Sequence, residues 1–350
     1  MRDKLFLERI FSFLSIENKI IAISKKTEQL FVIEDCLSVF DLSFSPTYLY
    51  ELFDKSVLIV DKLNYISAIF NGVSIDSIDS ILGIVIQEQD ERYLVFYLKE
   101  EGIKKYGLFD CINRKIMWTK DISTSLHIVN NIVLNQNLLL NRYDVENGNL
   151  LWQFSLSDFP TYKNHRGEDI EAKIQKIIGV YNNILWLYIS ARHLVGIDVE
   201  TGKKIHHIED IAEFVGLKGE EKHYLSGRDY HLDEQQGKIK ALVFRYYVEI
   251  NLNTLKGEVK KDFGENFQTS WRITRSQFYE GDDNLYFVGA KNGEAVLRAV
   301  GIFDTKKYEV IWYDEPLKEK KFLFFVGTPQ ANEKYLGILD SENNLRIYEK

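Results

Sequence analysis

Seven times along the 350-residue chain an apolar residue is followed by an aspartate or asparagine and, eight places later, by a second bulky anchor. The acid-type positions are Asp61, Asp110, Asp144, Asp198, Asn251, Asp304 and Asp340. Their anchors are Ile69, Trp118, Trp152, His206, Val259, Trp312 and Tyr348. Successive positions lie 34 to 54 residues apart, bracketing the roughly 40–50 residues of a four-stranded propeller blade. A repeat of that length cannot bury its apolar faces alone; stacked radially, each sheet covers its neighbour. The expected fold is therefore all-β, a single β-propeller over residues 1–350. Seven such units account for nearly the whole chain and leave no room for a second domain.

Within a unit the local chemistry is that of a hairpin. Asp144-Val145-Glu146-Asn147-Gly148 joins the apolar-rich strand Leu138–Tyr143 to the return strand Asn149–Phe154. Asp198-Val199-Glu200-Thr201-Gly202 repeats it. Aspartate at the head of a turn accepts from the following backbone N–H groups, and glycine supplies the positive φ that closes it. Two further strand-like runs precede several of these hairpins, for example Ile174–Val180 with Asn183–Ile189, making four strands per unit. The C-terminal unit holds only three (Phe322–Val326, Tyr335–Leu339, Leu345–Tyr348), whereas Lys4–Phe11 is a spare strand. The N-terminal strand is expected to complete the last blade and remove the open edges of the array. Seven blades fit best. Six and eight stay open, because Lys19–Phe70 holds more chain than four strands need and Asp41 can anchor an extra unit.

The segment Asp144–Trp152 resembles the repeat of pyrroloquinoline-quinone-type propellers, Ala-x-Asp-x-x-Thr-Gly-x-x-x-Trp. Asp198–Gly202 matches its Asp-x-x-Thr-Gly core, with His206 in the tryptophan place. Asp110 with Trp118 and Asp304 with Trp312 keep the spacing without Thr-Gly. The resemblance implies that Asp110, Trp118, Asp144, Trp152, Asp198, Asp304 and Trp312 are structural blade anchors, the tryptophans docking between blades. It implies no reaction. The quinone-dependent dehydrogenases of that superfamily are longer, typically exported and often carry adjacent cysteines beside the cofactor; this chain has only Cys36 and Cys111. No cofactor is expected, and no lipidation cysteine supports the family's envelope-assembly lipoproteins.

Composition narrows the partners. Aromatic residues make up 13% and prolines number 4, which suits strands and opposes disorder. A formal net charge of −8 lacks the basic footprint needed to bind phosphate backbones. It suits instead a basic protein partner steered by charge. No apolar run is long enough to span a bilayer, and Glu8 and Arg9 interrupt the N-terminal apolar stretch that a secretory signal requires. A cytoplasmic, monomeric protein with no nucleic-acid or membrane partner is expected.

No nucleophile elbow, phosphate-cradling loop or paired-histidine zinc helix is present. No catalytic or metal residue is assigned. His206 and His207 are neighbours on a strand and point to opposite faces, and His206 takes a structural role at the docking position. His223 and His231 flank Ser226–Gly237, read as a solvated polar loop with Arg228, Asp229, Asp233 and Glu234. Asn164-His165-Arg166-Gly167-Glu168-Asp169 lies in a long inter-blade connection, where partners bind. Glu280–Asn284 reads as a plain hairpin turn. The candidate partner-binding residues are thus His165, Arg166, Glu168, Asp169, Arg228, Asp229 and His231. The leading functional expectation is a non-enzymatic protein-binding propeller, in its specific form a bacterial toxin-neutralising, immunity-type protein. The alternatives are a hydrolase or lyase acting on carbohydrate, or another small-ligand binder, in the central channel, and a scaffold within a larger assembly.

Overall fold

The computed structural model describes the chain except residues 1, 52–54, 62–65, 78–84, 90–91, 101–102, 111, 114, 123–125, 137–138, 164–165, 226–228, 265–270, 292–293, 295, 318 and 320–322. Eight four-stranded antiparallel sheets follow one another around a ring, so the propeller has eight blades and not seven. In chain order, with strands a to d running from the axis outwards, blade 1 covers Ser12–Asp41, blade 2 Tyr48–Ser77, blade 3 Val85–Lys120 and blade 4 Leu126–Ser155. Blade 5 covers Ile174–Ile208, blade 6 Tyr230–Asp262 and blade 7 Trp271–Asp314. Blade 8 takes strands a to c from Phe325–Glu349 and its outermost strand from Arg2–Leu7, paired Arg2↔Glu349 through Leu7↔Leu345.

The extra blade is blade 1, which begins before the stretch that held too much chain and ends within it; Asp41 belongs to this blade but does not head its c–d turn. Asp41 ends the outer strand of blade 1. Five acid positions, Asp110, Asp144, Asp198, Asn251 and Asp304, head equivalent turns between strands c and d. The other two do not. Asp61 and Asp340 each end a strand b, and Asp340 heads the turn between strands b and c of its blade. In blade 2 the c–d turn begins at Asn71 instead, whose Oδ1 accepts from the N–H groups of Val73 and Ser74 at 3.0 and 2.8 Å.

At the equivalent turns the physics repeats. Asp144 Oδ1 accepts from the N–H groups of Glu146 and Asn147, and Asp304 Oδ1 from those of Lys306 and Lys307. Asp110 is fully buried and receives the Arg92 guanidinium at 2.7 Å. Burial alone would raise its carboxyl, but bonds from Arg92 and Asn113 hold it well below the usual range. Two of these turns, in blades 4 and 5, accept a tryptophan from the blade before. Trp118 Nε1 donates to Val145 O at 2.9 Å and Trp152 Nε1 to Val199 O at 2.6 Å. The indoles lie flat on Gly148 and Gly202, where an added Cβ would sit 2.7 Å from a ring carbon and φ is +70°. Glycine is required there twice over, for the backbone and for the ring.

The seam between blades 5 and 6 departs from this pattern. His206 stacks on Trp186 within its own blade, ring centroids 5.5 Å apart and 1° from parallel. The place of the docked tryptophan is filled by Phe214, which packs against Gly257 from the short helix Ile211–Phe214. His207 points the other way, 3.2 Å from His193 and against Phe159.

Strands b and c supply most of the core, packed between neighbouring sheets; Ile184–Ile189 is buried over all but its first residue. Outer strands alternate, as in Glu309–Asp314. The ring closes between blades 8 and 1 through Gln330, which accepts from Ser15 N and donates to Phe13 O, and through Asn332, which donates to Lys19 O at 2.8 Å. No helix of the described residues is long and apolar enough to cross a membrane.

Candidate functional site

Antiparallel order fixes what each face carries: a–b and c–d turns share one face, and b–c turns with the long d–a connections share the other. The inner strands of neighbouring blades touch around the axis. Those of blades 4 to 7 enclose a cavity of about 350 Å³, within the size of small-ligand pockets. It lies towards the a–b turns, with Asn130, Glu234 and Glu280 at its rim and Lys176 and His231 within.

The groups there are set by strands distant in sequence. Lys176 comes from strand a of blade 5, Asp229 and His231 from the start of blade 6, and Ser276 from strand a of blade 7. Asp229 Oδ1 accepts the Ser276 N–H at 3.1 Å, and the His231 Nε2 and Ser276 Oγ share a hydrogen bond of 3.1 Å. Burial pushes the Asp229 carboxyl up, against the Ser276 N–H, Lys176 and Arg275. Burial, helped by Lys176, pushes the His231 imidazole down to about 3, so it is neutral. Lys176 is itself lowered by burial and held up only by Asp229 through space. An adjacent histidine and serine suggest an activated nucleophile. Here Ser276 is only 3% exposed, and the carboxylate is bonded to the serine backbone rather than to the imidazole. The arrangement ties two inner strands together.

Of the candidate residues, only Asp229 and His231 meet in this channel. The stretch read as the solvated loop Ser226–Gly237 is in part an inner strand, Tyr230–Asp233. Its alternating charges face the channel and a buried partner: Asp233 forms an enclosed ion pair with Lys240 at 2.7 Å. Arg166, Glu168 and Asp169 are exposed on or beside a separate two-stranded hairpin, Tyr162–Lys163 with Asp169–Ile170, in the connection between blades 4 and 5. Lys163 and Asp169 pair across it at 3.3 Å. His165, Arg228 and the side chain of His223 lie outside the described residues. Glu280–Asn284 is the a–b turn of blade 7, where Asp282 and Asp283 pair with Lys350 and Lys306. Among the described residues no group of three or more His, Cys, Asp or Glu is placed to hold a metal ion.

Sequence reasoning passed over a second feature, on the opposite face. Three successive blades, 8, 1 and 2, each present an exposed aromatic at the start of strand a: Phe324 at 42%, Phe11 at 44% and Tyr48 at 37% exposure. All three sit in the same register, opposite a b–c turn or the strand end leading into it. Phe324 O accepts from Ser341 N and Phe324 N donates to Ser341 Oγ, Phe11 N donates to Ile23 O, and Tyr48 pairs with Val60. Phe11 and Tyr48 meet edge to face at 6.4 Å, and Tyr50 extends the group at 6.3 Å from Tyr48. Burial pushes the Tyr50 phenol up, and Tyr48 adds to the shift. The result is an aromatic arc over part of the channel rim. Single exposed apolar residues are ordinary; a set repeated in one register on three successive blades is not.

No family model matches the sequence, and no curated protein matches it. Solved structures do. The computationally designed Ika8 protein aligns over 100% of this chain and 98% of its own, at 12% identity and a TM-score of 0.61. Sqt1 of Saccharomyces cerevisiae aligns over 99% and 97%, at 10% identity and a TM-score of 0.60. BamB from Moraxella catarrhalis aligns over 100% and 97%, at 11% identity and a TM-score of 0.54. At these identities the likeness is one of fold, a β-propeller over the whole chain.

Proposed function

We propose that this propeller is a non-enzymatic module that binds a protein partner on the face of the d–a connections. The observation that carries the reading is the arc of Phe324, Phe11 and Tyr48. Aromatic side chains offer large contact area at low entropic cost and dominate the centres of protein interfaces. A net charge of −8 favours a basic partner, because complementary charge speeds encounter and rejects competitors. A bacterial toxin-neutralising role is the specific form of this reading, supported by the charge alone; monomeric state and a cytoplasmic setting go with it. Membership of the quinoprotein-like repeat family is likewise a proposal, supported by the two Asp-x-x-x-Gly turns that receive Trp118 and Trp152.

The test is affinity purification from the native cell with wild type and with the triple variant Phe11→Ser/Tyr48→Ser/Phe324→Ser. A control carries Ile116→Ser and Ile205→Ser, exposed positions on outer strands. A stoichiometric partner retained by the control and lost from the triple variant is expected. Equal retention by all three removes the arc from the interface.

A further inference from the structure

The cavity between the inner strands of blades 4 to 7 is bipolar. At its mouth stand the carboxylates of Glu234 and Glu280. Glu280 accepts the backbone N–H of Glu234, while burial and the neighbouring Glu234 charge both raise its carboxyl. Asn130 Nδ2 donates to Glu234 Oε1 at 3.2 Å. Among the described residues no cation pairs with either glutamate.

Deeper in the channel the sign reverses. The Lys176 ammonium has no hydrogen-bond or ion-pair acceptor among the described residues; Asp229 acts on it only through space. Lys176 is half-buried, and an ammonium drawn out of water without a partner is costly and is usually paired. Between the two ends the wall is apolar, made by Ile178, Leu232 and Phe278. Leu232 packs directly on Gly179, where a Cβ would lie 2.7 Å from it. Gly179 and Leu232 therefore mark one level, with Lys176 three residues above it and Glu234 two below. Five residues in all separate the charges, and at about 3.3 Å per residue the backbone levels are roughly 16 Å apart. The long side chains reaching inwards shorten that gap.

We propose that this cavity binds a small organic zwitterion whose carboxylate pairs with Lys176 and whose ammonium rests between Glu234 and Glu280, its apolar body lying on Ile178, Leu232 and Phe278. The chemistry is that of an ω-amino acid or a short peptide, the charges being held apart by an apolar spacer. The acidic mouth repels simple anions, and the interior ammonium repels simple cations. A ligand carrying both signs in the right order meets neither barrier. The exposed glutamates contribute less than the half-buried lysine, because solvent screens them more. This site lies on the opposite side of the ring's face pair from the aromatic arc, and it stands whether or not a protein docks there.

The test is calorimetric titration of the full chain with ε-aminocaproate, caproate, hexylamine and the dipeptide leucyl-leucine. At least one of the two zwitterions is expected to bind about tenfold more tightly than caproate, with hexylamine weakest. Which zwitterion binds better decides between a free ω-amino acid and a peptide. In Lys176→Met the zwitterion loses about tenfold or more; in Glu234→Gln/Glu280→Gln caproate comes within about threefold of the zwitterion. Lys176→Met removes an unpaired charge and is expected to keep the wild-type melting temperature or exceed it. Failure of both zwitterions to bind, binding equal to that of caproate, or binding that survives Lys176→Met in a folded variant overturns the proposal.

Discussion

The seams on the two sides of blade 5 solve one packing problem in two ways. Between blades 4 and 5 the core is aliphatic around Trp152, whose ring covers Gly202 and whose N–H reaches Val199 O. Between blades 5 and 6 the corresponding side chain, His206, turns back onto Trp186. Phe214 comes in from an inserted helix to cover Gly257. The first seam closes with one side chain of the repeat itself. The second needs an insertion, and at its inner end it carries Lys176, Asp229 and His231. Both of these seams set a large ring over a position without a Cβ, and which element supplies the ring differs between them.

The comparison can be broken most directly at the rings. Trp152→Ala removes a buried indole and its hydrogen bond, and a loss of about 3–5 kcal/mol is expected, read from urea unfolding. Phe214 is half-buried, so Phe214→Ala is expected to cost less, about 2–3 kcal/mol. If Phe214→Ala proves neutral, the helix is an ornament on the seam and His206 must carry the docking after all.

The same two seams show what the sequence made legible. The c–d hairpins of blades 3 to 7 could be placed because an aspartate or asparagine after an apolar residue heads each turn, and in blades 3 and 4 the tryptophan eight residues on reflects a packing contact that recurs. Asp61 and Asp340 misled because the local signal is not unique to that turn. Asp340 Oδ1 accepts from the N–H groups of Glu342 and Asn344 just as Asp144 does from its own turn, yet it joins strands b and c. Hairpin chemistry reports that a turn exists and not where in the blade it lies. Blade 1 was hidden for the converse reason, since none of the seven positions falls in it and its c–d turn, residues 34–36, is not headed by an aspartate or asparagine. The channel was the least legible part. Lys176, Asp229 and Ser276 acquire meaning only when strands about fifty residues apart converge on one axis, and nothing local distinguishes Lys176 from other lysines on amphipathic strands.

The inner strand of blade 6 should respond to acid through His231, as the 4/5 seam does through the His193–His207 pair against Phe159, whose imidazoles burial also lowers. His231 titrates near 6.5 when unfolded and is pushed down to about 3 in the fold. As pH falls below about 6.5 the unfolded chain takes the proton first. Its contribution to stability is therefore complete above that value and is lost progressively down to about pH 3. Between pH 7 and pH 4 we expect a loss on the order of 2 kcal/mol attributable to this group, obtained as the difference in pH slope between wild type and His231→Gln. Identical slopes in the two proteins would place His231 in solvent rather than in an enclosed channel wall.

The smallest effect is the sharpest test of the comparison. His206 occupies the repeat position that Trp152 fills one blade earlier, so a docking role predicts a cost of several kcal/mol on truncation. A ring stacked on Trp186 within its own sheet, and half-exposed, predicts about 1 kcal/mol, the scale of an aromatic pair. His206→Ala measured beside Trp152→Ala under the same conditions separates the two by a margin well outside the error of denaturant extrapolation. The double variant His206→Ala/Trp186→Ala then isolates the stacking, because residues in contact depart from additivity and distant ones do not. Coupling between His206 and Trp186, with none between His206 and Phe214, would mean that the seam was rebuilt by handing the ring's place to the helix and leaving the old position to its own blade.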